Sequence, residues 1–442
     1  MRPMPLQIPR SSHYRRFVKP AHVFIRLTLL TMAMTVLVGQ SQGQANPPRW
    51  VVSWAVAPCA PAPAEPRYDE LALHNETVRQ VVHLSIGGLA IRVRFSNAFG
   101  TEPLTLQSAN AAPALAGGAI APGSAVPVTV GGQDKFTIAP GKWVLSDTVN
   151  VPVAAQSDLA ISFFVVGPVN ASTIHYTALQ TSYLGKGDQT AAATLNDSKK
   201  ISLSMIAVGV DVASRTSPYA IVAIGSSTTD GAHSTANANR RWTNDLFRRL
   251  AVAYGDKAPA VVNEGISGNR VLHDGRGDWG PVWGESAVRR FNRDVLAQSG
   301  AGYVIAFEGG NDIRQPGSGA VPLEEGVTAQ QLIAGFQLMA KAAHDHSLKI
   351  VVGTITPFEH ADLHREENPV WEQTRLAFNN WVRHAKEIDG VADFDAAIRD
   401  PAHPARILAR FDSGDHLHPN DDGYQAMADC IDLKLFGPAT QN

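Results

Sequence analysis

Five short apolar runs, at 219–224, 260–263, 302–307, 349–355 and 391–394, alternate with helical periodicities around 240–254, 284–298, 328–346 and 369–388. Apolar runs of this length bounded by turn residues read as strands buried on both faces, and the stretches between them as amphipathic crossovers. Few architectures satisfy that alternation. Strand–helix–strand units set consecutive strands parallel in one sheet and lay the helices over its two faces. Leu332, Phe336 and Met339 recur at three-to-four spacing and are expected in the core.

Residues 46–212 follow other rules. Apolar and polar residues alternate over most of 89–96, glycine and proline recur often, and helical periodicity is almost absent. That grammar predicts short antiparallel strands in a sandwich or jelly roll. Gly87-Gly88 is expected to turn a hairpin between 78–86 and 89–96, and Gly131-Gly132 a second between 126–130 and 135–138. A further strand is expected at 158–166, closed by Gly167-Pro168, and a loop over 109–126. The change of grammar near 214–218 divides the chain into an expected β-sandwich-like domain, 46–212, and an α/β domain, 213–442.

The 442 residues suffice for two or three domains. A net charge of −2, with no basic cluster beyond the N-terminus, argues against nucleic acid as a partner. Two cysteines, Cys59 and Cys430, exclude a disulfide framework and a Cys-based zinc site; a single bridge between them stays open. Arg10, Arg15, Arg16, Lys19 and Arg26 precede the apolar run 27–38, and Gly43-Gln44-Ala45 offers small residues for cleavage. Residues 1–45 are therefore read as a signal peptide. The expected location is secreted or periplasmic, with no stable membrane association after cleavage; a membrane anchor is the alternative reading.

The first apolar run ends in Gly225-Ser226-Ser227-Thr228-Thr229-Asp230-Gly231. It delivers a serine to the C-terminal edge of the sheet, where open α/β folds carry their chemistry. A nucleophilic serine needs a base, an orienting acid and donors for an oxyanion. The second run leads into Glu264-Gly265-Ile266-Ser267-Gly268-Asn269, where a glycine lets a backbone N–H approach a ligand. The third leads into Glu308-Gly309-Gly310-Asn311-Asp312, with an amide at Asn311. The last loop holds Asp415 and His418, three apart, so that a carboxylate can hold one imidazole nitrogen while the other faces a serine. Asn420 with Asp421 and Asp422 suits a helix start. Each segment also has a plain structural reading as a turn or cap. The first segment lacks the second glycine of a G-x-S-x-G elbow, and acid and base share one loop, so the plan differs from that of α/β-hydrolases.

These four segments resemble the blocks of the SGNH (GDSL-type) hydrolase family over roughly 216–436. The resemblance implies a flavodoxin-like three-layer α/β/α fold with no cofactor and no metal. It implies Ser227 as nucleophile, His418 as base and Asp415 as the acid that orients it. The oxyanion hole would be the N–H groups of Ser227 and Gly268 with the Asn311 amide. Ser226 stands where the family's first block has an aspartate. A β region ahead of such a domain resembles secreted bacterial esterases, some of which act on acylated plant polysaccharides. The expected substrate is a short-chain acyl ester, small or polymeric, such as an acetylated carbohydrate; a lipase, lysophospholipase or aryl esterase is the alternative. A carbohydrate binder with a degenerate hydrolase and a metal-dependent esterase are rivals of other classes. Trp279 and Trp283, like Trp50, Trp54 and Trp143, suit either sugar stacking or packing.

Overall fold

The computed structural model describes residues 47–63, 71–361 and 368–437. The leader read in 1–45 lies outside the described residues. The described residues form one compact unit.

The expected parallel sheet is present, built from Ala220–Gly225, Ala260–Gly265, Ala301–Phe307, Lys349–Gly353 and Gly390–Ala392. Numbered along the chain, its strands lie in the order second, first, third, fourth, fifth. This is the flavodoxin-like order, whose direction reverses beside the first strand. Ile221, Val222, Ala223, Val304, Ile305 and Ala306 have no solvent exposure, as strands covered on both faces require. The helices Trp242–Tyr254, Ala329–Asp345, Pro369–His384 and Asp421–Asp429 supply the covering layers. Leu332, Phe336 and Met339 are buried as expected, with Phe336 against Phe378 at 4.9 Å between ring centres.

The stretch 284–298 is less regular than its periodicity suggests. An α-turn, Ala287–Phe291, widens into a π-turn, Asn292–Leu296. Across it Arg290 and Asp294 form a buried ion pair at 3.1 Å. Gly225 aligns with Gly265 on one side and Phe307 on the other, so the loops after three strands share one edge.

Upstream, two large antiparallel sheets and a short two-stranded ladder, Ile174–His175 with Ser204–Met205, form the β region. One has four strands, Arg49–Ala55, Ala207–Ser214, Ile91–Ser96 and Trp143–Leu145. The other is built on Ala72–His83, Asp158–Asn170 and Leu104–Pro113. Phe95 of the first meets Phe136 and Phe163 of the second at 5.4 and 6.0 Å, so the sheets face each other across a shared core.

The hairpin expected at Gly87-Gly88 is not formed, because Ala72–His83 and Ile91–Ser96 belong to different sheets. The glycine serves a close approach instead: a Cβ on Gly87 would sit 2.5 Å from the Val153 carbonyl oxygen. Gly131-Gly132 does turn the chain, both at positive φ. Yet Val126–Pro127 and Phe136–Ile138 each pair with Leu104–Pro113, not with one another. That same strand occupies the start of the expected loop 109–126. The strand expected to close at Gly167-Pro168 runs on to Asn170, with Gly167 taking a φ of 81°.

The β region is bonded to the α/β region at several points. Val52 N–H donates to the Ser299 carbonyl at 2.9 Å, and Ser299 Oγ to Asp211 at 2.7 Å. Arg94 donates to Gln298, which donates in turn to Glu264. Trp50 lies under Arg92 and the half-exposed Trp143 under Arg94, in cation–π contacts. Trp54 packs partly buried against the core. Cys59 and Cys430 are both free thiols, and burial pushes the Cys59 thiol up to about 12.

Candidate active site

The first parallel strand ends at Gly225, and a single short helical turn, Ser227–Asp230, begins at once. A side chain at Gly225 would strike Thr229 Oγ1 at 2.2 Å and the Phe307 carbonyl at 2.3 Å. Backbone bonds hold the turn: Asp230 N–H to the Ser226 carbonyl and Gly231 and Ala232 N–H to that of Ser227, at 2.8–2.9 Å. The Ser226 side chain makes no capping bond. The turn thus stands on backbone bonds and does not need an acid at position 226.

A loop beyond the last strand brings Asp415 and His418 to this serine. His418 Nε2 lies 2.7 Å from Ser227 Oγ, and His418 Nδ1 lies 2.6 Å from Asp415 Oδ2. Asp415 Oδ1 accepts the backbone N–H of Leu417 and His418. Burial opposes charge on Asp415, but the hydrogen bonds from His418 and the backbone outweigh it and hold its carboxyl well below the usual range. His416 is drawn away to Asp412 at 2.6 Å and takes no part in the line. Asn420 caps the next helix through Gly423 N–H, as its sequence context suggests.

The remaining expected residues converge from the neighbouring loops. Gly268 has a φ of 85°, and a Cβ there would meet the Trp283 ring at 2.1 Å, so Trp283 packs on the loop. Asn311 lines one pocket with Ser227. One Asn311 Nδ2 hydrogen is bonded to the Asn269 carbonyl at 3.0 Å. An amide nitrogen carries two, which leaves a second donor for a ligand. Asp312 ties down the intervening loop by accepting Val271 and Leu272 N–H, and burial pushes its carboxyl up to about 6.

The pocket has a volume of about 30 Å³ and is walled by Phe307, Ile355, Phe358 and Leu417, with Glu308, Ser226 and Thr356 as polar groups. Burial pushes the Glu308 carboxyl well above its ordinary value, which favours its uncharged form in the pocket.

Sequence reasoning missed a second layer behind these residues. Arg290 reaches the carbonyls of Gly225 and Glu264 at 3.0 and 2.7 Å, joining two strand ends, and also bonds Asn269. From the β region, His175 presents Nδ1 to the Ala57 carbonyl at 2.9 Å and Nε2 to Asp230 Oδ1 at 3.0 Å. Burial opposes charge on Asp230, but His175, with Arg241 and Ser267, outweighs it and holds the Asp230 carboxyl below its ordinary value. Asp230 Oδ2 in turn accepts Ser267 N–H and Oγ–H at 3.0 and 2.7 Å. The loop that ends in Gly268 is therefore clamped through Asp230 to the β region. The T-D-G of the first block was the available signal for Asp230; nothing near position 175 pointed to His175. A second imidazole, His233, stacks on His418 at 5.3 Å and also went unremarked.

Residues 223–426 match the model of the GDSL-like lipase/acylhydrolase family. No curated protein matches the chain. Among solved structures, an acetylxylan esterase from Geobacillus stearothermophilus is similar at 22% identity over 50% of this chain and 96% of its own, with a TM-score of 0.38. A GDSL-like lipase from Bacteroides thetaiotaomicron is similar at 16% identity over 50% of this chain and 88% of its own, with a TM-score of 0.35.

Proposed function

We propose, given that residues 223–426 belong to the GDSL-like lipase/acylhydrolase family and make this an ester-hydrolysing enzyme, that Ser227, His418 and Asp415 are its catalytic triad and that it removes short acyl groups. The observation that carries the reading is the continuous line from Ser227 Oγ through both His418 nitrogens to Asp415. Asp415 accepts the Nδ1 proton and leaves the Nε2 lone pair facing the serine. Ser227 attacks the ester carbonyl as His418 takes its proton. The resulting oxyanion is met by the N–H groups of Ser227 and Gly268 and the free Asn311 donor. Collapse expels the alcohol with the proton from His418, and water then clears the acyl-enzyme by the same route. A fluorophosphonate probe should label Ser227, read by peptide mass. A folded protein that never labels would favour the binder reading.

The small pocket beside Ser227 supports a short acyl group. One water already needs about 10–15 Å³ of such space, so about 30 Å³ admits an acetyl methyl and little more. Turnover of p-nitrophenyl esters is expected to fall from acetate through butyrate to octanoate. Phe358→Ala should move the optimum to longer chains; an unchanged chain-length profile would remove this pocket from the acyl side.

For the alcohol, the proposal is a carbohydrate. Tyr176 of the β region meets the partly exposed Trp279 edge-to-face at 5.8 Å, and the adjoining Thr177 bonds Ser267 at 3.1 Å. An aromatic wall beside Gly268 suits the flat face of a sugar ring. Acetate release from acetylated xylan, compared with p-nitrophenyl acetate, tests it. Export through the leader read in 1–45 would place the enzyme with such polymers. Among the described residues no helix is long and apolar enough to cross a membrane.

His175 acts in this reading as a positioning residue for the oxyanion loop. His175→Ala leaves the buried Asp230 Oδ1 without its hydrogen-bond partner, a loss that costs about 1–3 kcal/mol of stability. Loosening of Ser267–Gly268 should also lower kcat by up to about 10²-fold, with KM nearly unchanged. Steady-state kinetics on the folded fraction, beside a thermal midpoint, separates the two effects.

A further inference from the structure

We propose that His233, Asp415 and His418 form a site for a zinc-class divalent cation, and that filling it switches the hydrolase off. The switch rests on the triad reading above; the binding does not.

His233 lies in the loop after the nucleophile turn, in the left-handed region at a φ of 64°. Its Nε2 is 3.2 Å from Asp415 Oδ2, the atom that also receives His418 Nδ1 at 2.6 Å. The two imidazole rings stack at 5.3 Å with 28° between their planes. One ligand atom from each of the three residues falls within 4.8 Å of the others. His233 is 51% exposed and Asp415 33%, so a cation reaches the cluster from solvent. Two residues on, Thr235 ties the His233 loop down by donating its N–H and Oγ–H to Asp421.

Two imidazole nitrogens and one carboxylate oxygen are the donor set of zinc, with water left to complete a tetrahedron. Calcium and magnesium prefer oxygen throughout. At zinc bond lengths tetrahedral donors sit about 3.3 Å apart. The His233–Asp415 separation of 3.2 Å already matches, the His418–Asp415 hydrogen bond must open from 2.6 Å, and the imidazole donors lie within 4.8 Å of each other.

The chemical consequence follows from counting protons. Neutral His418 has one N–H, now at Nδ1, and a lone pair at Nε2 for Ser227. A metal at Nδ1 takes the lone pair there, and the proton is re-sited at Nε2. Nε2–H then only donates to Ser227 Oγ and cannot remove its proton. The base is lost although all three side chains of the triad remain in place apart from the opened His418–Asp415 hydrogen bond.

The test uses the full, chelator-treated protein with zinc chloride competed against a chromophoric zinc chelator. One equivalent of zinc should bind at micromolar concentration to the wild type and to Ser227→Ala. His233→Ala should bind more weakly by about 10-fold or more, since even outer-shell losses cost about 10–100-fold. Zinc should inhibit p-nitrophenyl acetate turnover, scored against each variant's own metal-free rate, with EDTA restoring it and magnesium or calcium without effect. Equal binding by wild type and His233→Ala, or no binding by the wild type, overturns the site. Zinc bound through His233 without inhibition overturns the switch. Absence of fluorophosphonate labelling instead marks failure of the triad reading.

Discussion

Ser227→Ala is expected to lose about 10⁶ in kcat, the order seen when a triad serine is removed, whereas Ser226→Ala keeps much of its turnover. The contrast follows from geometry. Ser227 Oγ is the hydroxyl at 2.7 Å from His418 Nε2. Ser226 precedes the turn in extended conformation, and its side chain caps nothing. The turn is held by backbone bonds that survive the loss of either hydroxyl. Kinetics on p-nitrophenyl acetate, with fluorophosphonate labelling of both variants, checks the result. An inactive, unlabelled Ser226→Ala beside an active Ser227→Ala would show that the nucleophile is the other serine.

Asn311→Ala is expected to lower kcat by about 10²–10³ while KM hardly moves. The free Asn311 donor is worth most when the carbonyl oxygen becomes an oxyanion, so its loss raises the barrier more than it weakens substrate binding. The same side chain also bonds the Asn269 carbonyl, in the loop that carries Gly268. A purely structural role would therefore appear as a lowered thermal midpoint with kcat preserved in the folded fraction. A rise in KM alone would place Asn311 in substrate binding and outside the oxyanion hole.

The parallel sheet was legible because its signals are local. Each strand sits within a few residues of its apolar run, and the glycine-bounded turns stop the strands where their φ angles or close contacts require. The Asp415–His418 pairing was legible for the same reason, since both lie in one short loop. The β region was less so. Alternation finds strands but does not say which sheet receives them, and Gly87-Gly88 looks alike as a hairpin turn or as a crossing point.

By itself the sequence determined the α/β class of the C-terminal half, the strand edge that carries Ser227, and the candidate set of Gly268, Asn311, Asp415 and His418. Tertiary structure alone decided that His175 clamps Asp230 from the β region, that Arg290 joins two strand ends, and that His233 stands over His418. His175 is separated from Asp230 by 55 residues, and His418 from Ser227 by 191. No periodicity or turn rule spans such distances. Only the packing of one buried surface on another selects which polar groups must meet there, because each must find a partner when water is excluded.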